Sequence, residues 1–257
     1  MTRHDAKAGW TVSATLDEDR KIGVGLDSTG TGHKRVIRLD GAPATATDLA
    51  DLIRIVWLTP AMDSVFRGGA SERRRFFDRQ VMAHIPSHGS VSSRYEKAMR
   101  ERNALLERGR VDPAWADAIE GRMAEAGALI ANNRARILVA LQAAIDVRPE
   151  GYFPKGDLAF EGAAEQAAAE GAGLFDIQDL IAEQLAKGRY RDQAAGRTLS
   201  GPHRTDLSVI HRPTGAAAGN ASTGQQKALL IGLILASARA LSEDGDGPSP
   251  LILLDEA

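Results

Sequence analysis

The chain has 257 residues, 43% of them hydrophobic and 26% charged, with a formal net charge of −2, ordinary values for one large or two modest globular domains. No global basicity advertises nucleic acid, although a local patch can still carry it. The absence of cysteine excludes disulfides and thiolate metal sites, no run is long and charge-free enough to span a bilayer, and no apolar signal core opens the chain, so a cytoplasmic, membrane-free protein is expected.

Residues 10–16, 21–26 and 34–39 alternate apolar and polar side chains. They read as antiparallel strands joined by tight turns. A short helix over 47–53 follows, then a buried strand over 54–58 that Thr59-Pro60 ends. Residues 71–84 and 92–108 carry apolar positions at helical spacing within dense charge. Asp112 before Pro113 is an N-cap followed by proline at the first helical position, and an Ala-rich stretch runs from there to Ile145. Three or so long helices are expected, two of them forming an antiparallel arm.

After Pro149 the texture changes. A strand over 156–160, helices over 163–170 and 177–187, a short strand over 207–211 and a small-residue loop over 214–221 are expected. A chain that starts a sheet, leaves for helices and returns is easiest to build as a helical insertion in an α/β domain.

The run Ser222-Thr-Gly-Gln-Gln-Lys227 opens a helix that is apolar nearly all round and therefore buried beneath a sheet. Ser222 is a good N-cap, and Gly224 lets backbone N–H groups approach an anion closely. The free N–H groups and positive dipole end of a helix favour phosphate. One turn after that helix comes Leu251-Ile-Leu-Leu-Asp255-Glu256, a buried-type strand delivering two carboxylates to the C-terminal edge of a sheet. The first acid suits Mg2+ held through water, and the second suits orienting or deprotonating an attacking water. Taken alone, each half has a plain reading, a capped helix and a solvated strand end.

In that order the two runs resemble the signature and Walker B motifs of ABC-type ATPases, and more narrowly those of the RecF family of bacterial DNA replication and repair proteins. Arg197-Thr-Leu-Ser-Gly-Pro-His-Arg-Thr-Asp-Leu207, Trp57-Leu-Thr-Pro60, the stretch from Asp63 to Asp78, Arg94-Tyr95 and Arg100-Glu-Arg-Asn103 are similar to further family stretches. The likeness runs from about Trp10 to the end. It implies an α/β ABC-type ATPase head with part of an antiparallel β-subdomain over 1–66, an inserted helical arm over 67–150, and a return to the head over 151–257.

The resemblance implies a mechanism as well. Two heads close face to face around ATP, each signature motif capping the nucleotide of the partner, and the closed homodimer clamps single- and double-stranded DNA junctions. The family acts with RecO and RecR in loading RecA, in gap repair, in replication restart and in SOS induction, in the nucleoid-associated cytoplasm. Carried over, Ser222, Gly224 and Gln225 contact the partner's ATP, with Gln226 and Lys227 in the same motif. Asp255 serves Mg2+, and Glu256 is the catalytic carboxylate.

The chain departs from the family pattern in three places. No G-x-x-x-x-G-K-[ST] run is present; Gly25-Leu-Asp-Ser-Thr-Gly30-Thr31 lacks the Lys and sits at an expected hairpin turn. The family's final strands are not found after Asp255-Glu256 either, so a fragment is expected, one that alone binds ATP weakly and does not hydrolyse it. The segment before the helical arm offers no nucleotide-sensing Gln; Thr59 is the nearest polar residue.

Arg73, Arg74 and Arg75 crowd the start of one helix together with Arg67 and Arg79. Arg94, Arg100 and Arg102 follow with Lys97, Arg108 and Arg110. Clusters of this kind neutralise phosphates without reading bases. The competing reading is a solvated face paired with Glu72, Asp78, Glu96, Glu101 and Glu107 at near-helical spacing, or structural ion pairs made by residues 73–75. Two other functional readings stand beside the first. One is another SMC/ABC-type head, which the short helical block disfavours at ~1.5 Å per residue; the other is a non-catalytic module binding a recombination mediator.

Overall fold

The computed structural model describes residues 9–16, 19–27, 34–108, 112–244 and 247–255. The alternating N-terminal segments form β1 (Thr11–Thr15), β2 (Lys21–Asp27) and β3 (Lys34–Leu39), with a short β4 (Ala42–Ala44) closing a four-stranded antiparallel sheet in the order β1-β2-β3-β4. The last strand was not expected from the sequence. Its signal is Asp40-Gly41, where φ is 51° and 85°, two successive left-handed residues as a tight hairpin turn requires. The turn expected between β2 and β3 lies outside the described residues for the most part. Helix α1 (Ala46–Leu52) begins at a capping box made by Thr45 and Asp48. These elements belong to the first of two compact units, Met1–Arg54.

The second unit is Ile55–Ala257. The contact pattern divides the chain at residue 54, and the sequence-based boundaries near 66 and 150 do not appear as divisions. The reason is one helix. After β5 (Ile55–Leu58), α2 (Ala70–His84) and α3 (His88–Glu107), helix α4 (Pro113–Val147) runs for 35 residues, about 52 Å at 1.5 Å per residue. Asp112 caps it, its side chain accepting from the Ala114 and Trp115 N–H groups. The N-terminal half of α4 (Ile119, Met123, Ile130) is buried in one core with α3, α5 (Ala163–Ala169) and α6 (Leu174–Ala195). The C-terminal half (Ile137, Leu141, Ile145) is buried in another with β5, α2 and α7 (Thr223–Glu243). One continuous helix thus contributes to the arm and to the sheet-bearing part alike, and bending between them would expose apolar surface on both.

Strands β6 (Gly156–Phe160), β7 (Leu207–His211) and β8 (Ala216–Ala217) make a three-stranded antiparallel sheet. Its inward residues Leu158, Phe160, Leu207 and Val209 join the core of α2 and α7. The terminal strand β9 (Leu251–Leu254) pairs parallel to β5 in register, Ile55 opposite Leu251 and Leu58 opposite Leu254. Val56 and Leu58 of β5 are buried, but Leu251 to Leu254 remain 40–55% exposed. The sequence reading of β9 as a buried strand is therefore corrected. Its residue types are those of a doubly covered parallel strand, and among the described residues β5 is its single strand partner.

Candidate functional site

Helix α7 starts where the sequence places it. Ser222 is extended (φ −62°, ψ 158°), and its Oγ accepts from the Gln225 N–H at 3.3 Å. The Gln225 Oε1 in return accepts from the Ser222 N–H at 2.9 Å, a complete capping box. Ser222, Thr223, Gly224 and Gln225 are all exposed. A side chain at Gly224 would meet nothing within 4 Å. The first turn of a helix that is otherwise buried (Leu229, Leu230, Leu233 and Ile234 are at most 3% exposed) is therefore presented bare. Its N–H groups and the hydroxyls of Ser222 and Thr223 face outward without bulk. That donor set suits a phosphate-bearing ligand. Ser222 Oγ keeps its own O–H to donate while it accepts from Gln225.

Gln226 behaves differently from its neighbours. It is 2% exposed, and its Nε2 donates to the Gly219 carbonyl at 3.2 Å and to the Ala221 carbonyl at 2.7 Å. It points into the protein and pins the turn that precedes the bare helix end. The expectation that it contacts nucleotide is corrected: burial leaves it a positioning role. Gly219, in that same turn, lies so close to the Phe66 carbonyl that a Cβ would approach it at 2.7 Å. The turn is thus also fitted against the loop that follows β5. Lys227 is half-buried.

At the other half, Asp255 follows β9, and its N–H donates to the Leu58 carbonyl at 3.0 Å. Its side chain is exposed at the C-terminal end of the β5–β9 pair, where a carboxylate can meet a hydrated cation. No group of three or more His, Cys, Asp or Glu with metal-holding geometry occurs among the described residues. Glu256 lies outside the described residues.

The arginines separate into three groups. Arg102 is fully buried. It donates to Glu120 at 2.9 Å, Asp192 at 2.6 Å, Thr198 Oγ1 at 2.9 Å and the Leu185 carbonyl at 2.9 Å. Its assignment as a DNA contact is corrected: every reach of the guanidinium is spent on buried partners from α4, α6 and the segment that follows α6. Arg73 grips Asp206 bidentately at 2.8 and 2.7 Å and also donates to the Gly68 carbonyl at 2.5 Å. Asp206 holds the Arg73 pKa up, and Arg73 holds that of Asp206 down. This is the structural ion pair weighed as the alternative for residues 73–75. Arg94 and Arg100 stay outward, each with a loose pair at 3.8 Å, to Glu125 and Glu96. Arg75 is exposed, and Arg74 donates to the Thr205 carbonyl at 2.5 Å.

The sequence reading missed Arg134. It is 4% exposed and donates bidentately to Asp78 at 2.7 and 2.8 Å and to Glu165 at 2.7 Å. The signal was available: Arg134 falls on the buried stripe Met123, Gly127, Ile130, Ile137, Leu141 at alternating spacings of three and four. A charge on such a stripe needs partners from other elements.

No family model matches the chain. The DNA replication and repair protein RecF of Brucella suis is 49% identical over 261 residues, covering 100% of this chain and 67% of the relative. The chain belongs to the RecF family. RecF of Caulobacter vibrioides is 46% identical over 256 residues, covering 96% and 66%. The chain spans about two thirds of the length of the curated relatives it matches. Among solved structures, the recombination mediator protein RecF with ATP, of the RecFOR pathway, superimposes with a TM-score of 0.82 at 21% identity over 99% of this chain and 68% of that one. A second structure of it with an ATP analogue gives 0.82 at 20% identity. At that identity the likeness is one of fold, and the fold is that of the RecF ABC-type ATPase. No described helix is long and apolar enough to cross a membrane.

Proposed function

We propose that this RecF-family chain supplies one face of an ATP-dependent DNA clamp. In this reading the bare first turn of α7, with Ser222, Gly224 and Gln225, caps ATP held by the P-loop of a second head. Asp255 would hold Mg2+, and Glu256 would serve as the general base. Mg2+ would neutralise phosphate charge during hydrolysis. Ser222 and the α7 N–H groups donate to phosphate oxygens, and Gln226 keeps that turn in place. The observation that carries the reading is the exposed, capped start of an otherwise buried helix, left open at Gly224.

The 257 residues hold no P-loop run, so phosphate grip must come from residues outside them, and weak ATP binding with no turnover is proposed for the chain by itself. The DNA-repair setting is proposed from the family: homodimer closure on single- and double-stranded DNA junctions, with RecO and RecR as partners, RecA loading, replication restart and SOS induction as outcomes, and a nucleoid-associated cytoplasmic location. The surfaces proposed for DNA are the outward arginines Arg74, Arg75, Arg94 and Arg100; Arg73 is proposed to act by holding α2 to Asp206.

The test is association. Mixed with a P-loop-bearing RecF relative, the chain is expected to co-elute in a complex with Mg2+ and ATP and to elute apart without nucleotide. Ser222→Arg, which projects a long cation into the bare turn, is expected to abolish the complex while leaving the melting temperature within a few degrees. ATP-independent association, or association that survives Ser222→Arg, would overturn the reading.

A further inference from the structure

Three arginines on α2 lack a carboxylate of their own. The side chains of Arg75 and Arg79, one turn apart, make no hydrogen bond or ion pair with any described residue, and that of Arg74 gives a single N–H to the Thr205 carbonyl. All three line one cleft of about 490 Å³. Its far wall is the first part of α3, with Ser92, and the Pro202-His203 segment.

The carboxylates facing that space are already engaged. Asp78 accepts both arms of Arg134 and lies 3.3 Å from the buried His88. Glu96 pairs with Arg100 at 3.8 Å. Arg74, Arg75 and Arg79 therefore face two carboxylates that Arg134 and Arg100 already hold. Burial and the nearby Arg134 push the Arg74 pKa down, outweighing the opposing charges of Asp206 and Asp78.

The neutral wall is fixed in advance. Tyr95 and His203 are joined at 2.8 Å, and His203 Nε2 reaches the Thr198 carbonyl at 3.1 Å. Burial holds the His203 pKa down, so the ring is neutral and adds no charge. The Tyr95 ring is 2% exposed and offers no platform on which a base can stack. What remains is a set of planar guanidinium forks with hydroxyls from Ser71 and Ser92, which suits tetrahedral phosphate oxygens and reads no base.

We propose that the cleft between α2, α3 and the Pro202-His203 segment seats backbone phosphates of DNA, with Arg75 and Arg79 as its principal contacts. The site is separate from Ser222 and from Asp255, which do not line it. The proposal rests on the DNA-binding reading of the preceding section and adds where the backbone sits.

The experiment is fluorescence anisotropy of the 257-residue chain on a labelled duplex with a single-stranded tail, titrated between about 50 and 200 mM salt. Arg75→Gln/Arg79→Gln removes no described partner and is expected to melt like the wild type. It is expected to weaken binding about tenfold and to lower the slope of log affinity against log salt by about two, one per lost contact. Arg75→Lys/Arg79→Lys is expected to keep the slope. Ser92→Glu, acting from the opposite wall, is expected to weaken binding in the same direction, and Arg94→Gln to do so less.

If the wild-type chain by itself binds no DNA, this proposal fails, while the general reading, which places DNA in the closed ATP-dependent complex, stands or falls on that complex. If the wild type binds and Arg75→Gln/Arg79→Gln keeps both affinity and slope, the cleft assignment alone is wrong. If that variant loses affinity for ATP but not for DNA, the cleft takes nucleotide phosphate and the proposal is overturned.

Discussion

Arg102 Nη1 donates to Asp192 Oδ2 at 2.6 Å, joining α3 to the end of α6 across 90 positions of sequence. Glu120 of α4 takes the Nε of the same guanidinium at 2.9 Å and is shared with Arg189. Helices α3, α4 and α6 thus meet at one cation with no solvent contact. Arg102→Ala leaves Asp192 without a cation in a dry interior and Glu120 with Arg189 alone, and breaking a buried pair from one side costs about 3–5 kcal/mol. Urea unfolding is the measurement. Arg102→Met, which fills the space but leaves the acids, is expected to be destabilised as well, whereas Arg102→Met with Glu120→Gln and Asp192→Asn should recover part of the loss. A chain that lost DNA affinity at unchanged stability would restore Arg102 to the surface role its sequence neighbours suggested.

That residue also marks how far the sequence was legible. The strands and the long helices followed from periodicity, and the signature run followed from the coincidence of Ser222, Gly224 and an apolar helix. Arg102 lay beyond such reasoning because Arg100-Glu-Arg-Asn reads as a solvated charge run. Which of its arginines turns inward depends on where α4 and α6 place Glu120 and Asp192, and that is tertiary information. Gln226 was invisible for the same reason: adjacent to Gln225 in sequence, it points the opposite way because successive helical residues are rotated by about 100°. Asp40-Gly41 was a local signal of a hairpin that the reading passed over, and β4 was lost with it.

Asp78 connects stability to pH. Burial raises its pKa, but the hydrogen bonds and charges of His88 and Arg134 outweigh burial and bring it to about 2 from 3.8. A depressed carboxylate contributes stability that is complete above its unfolded pKa and is lost as pH falls toward the folded one. The window is therefore from about 4 down to about 2. Over that window unfolding free energy is expected to drop by about 2 kcal/mol on account of this group alone. Asp78→Asn should be less stable at neutral pH and should show a shallower acid slope than the wild type in parallel urea titrations. Equal slopes would mean that the Arg134 pair does not form in solution.

Gly201 has a φ of 120°, and a Cβ there would lie 2.4 Å from the Tyr95 hydroxyl. Gly201→Ala therefore meets two separate penalties, the backbone region and the hydroxyl. Strain of that kind costs about 1–3 kcal/mol, and the clash adds to it. Tyr95→Phe removes the hydroxyl but leaves His203 Nδ1 without its partner, about 1–3 kcal/mol for a buried polar atom. In the double variant the clash is gone, so the combined loss should be smaller than the sum by about 1 kcal/mol or more. Additive losses in a thermal or urea double-mutant cycle would show that the Tyr95 hydroxyl does not sit over Gly201.

Gln226 is the residue through which the helix core reaches the turn that precedes α7. Its amide holds the Gly219 and Ala221 carbonyls, and its Oε1 is buried with no protein partner among the described residues. Gln226→Ala frees both carbonyls at a cost of about 1–3 kcal/mol, and most of that loss should be local. Hydrogen exchange at the Ala221 N–H, which bonds the Ala218 carbonyl, is expected to speed up well before exchange in the middle of α7 does. ATP-dependent association with a P-loop-bearing relative should weaken several-fold along with it. Gln226→Glu offers no donor to either carbonyl and should repeat the loss, whereas Gln226→Asn retains the amide and should recover part of it. A purely structural residue would lower the melting temperature in all three variants without this order in association. A nucleotide contact would weaken association while leaving exchange at Ala221 as it was. The burial of the side chain predicts the first signature, faster exchange at Ala221 and weaker association together.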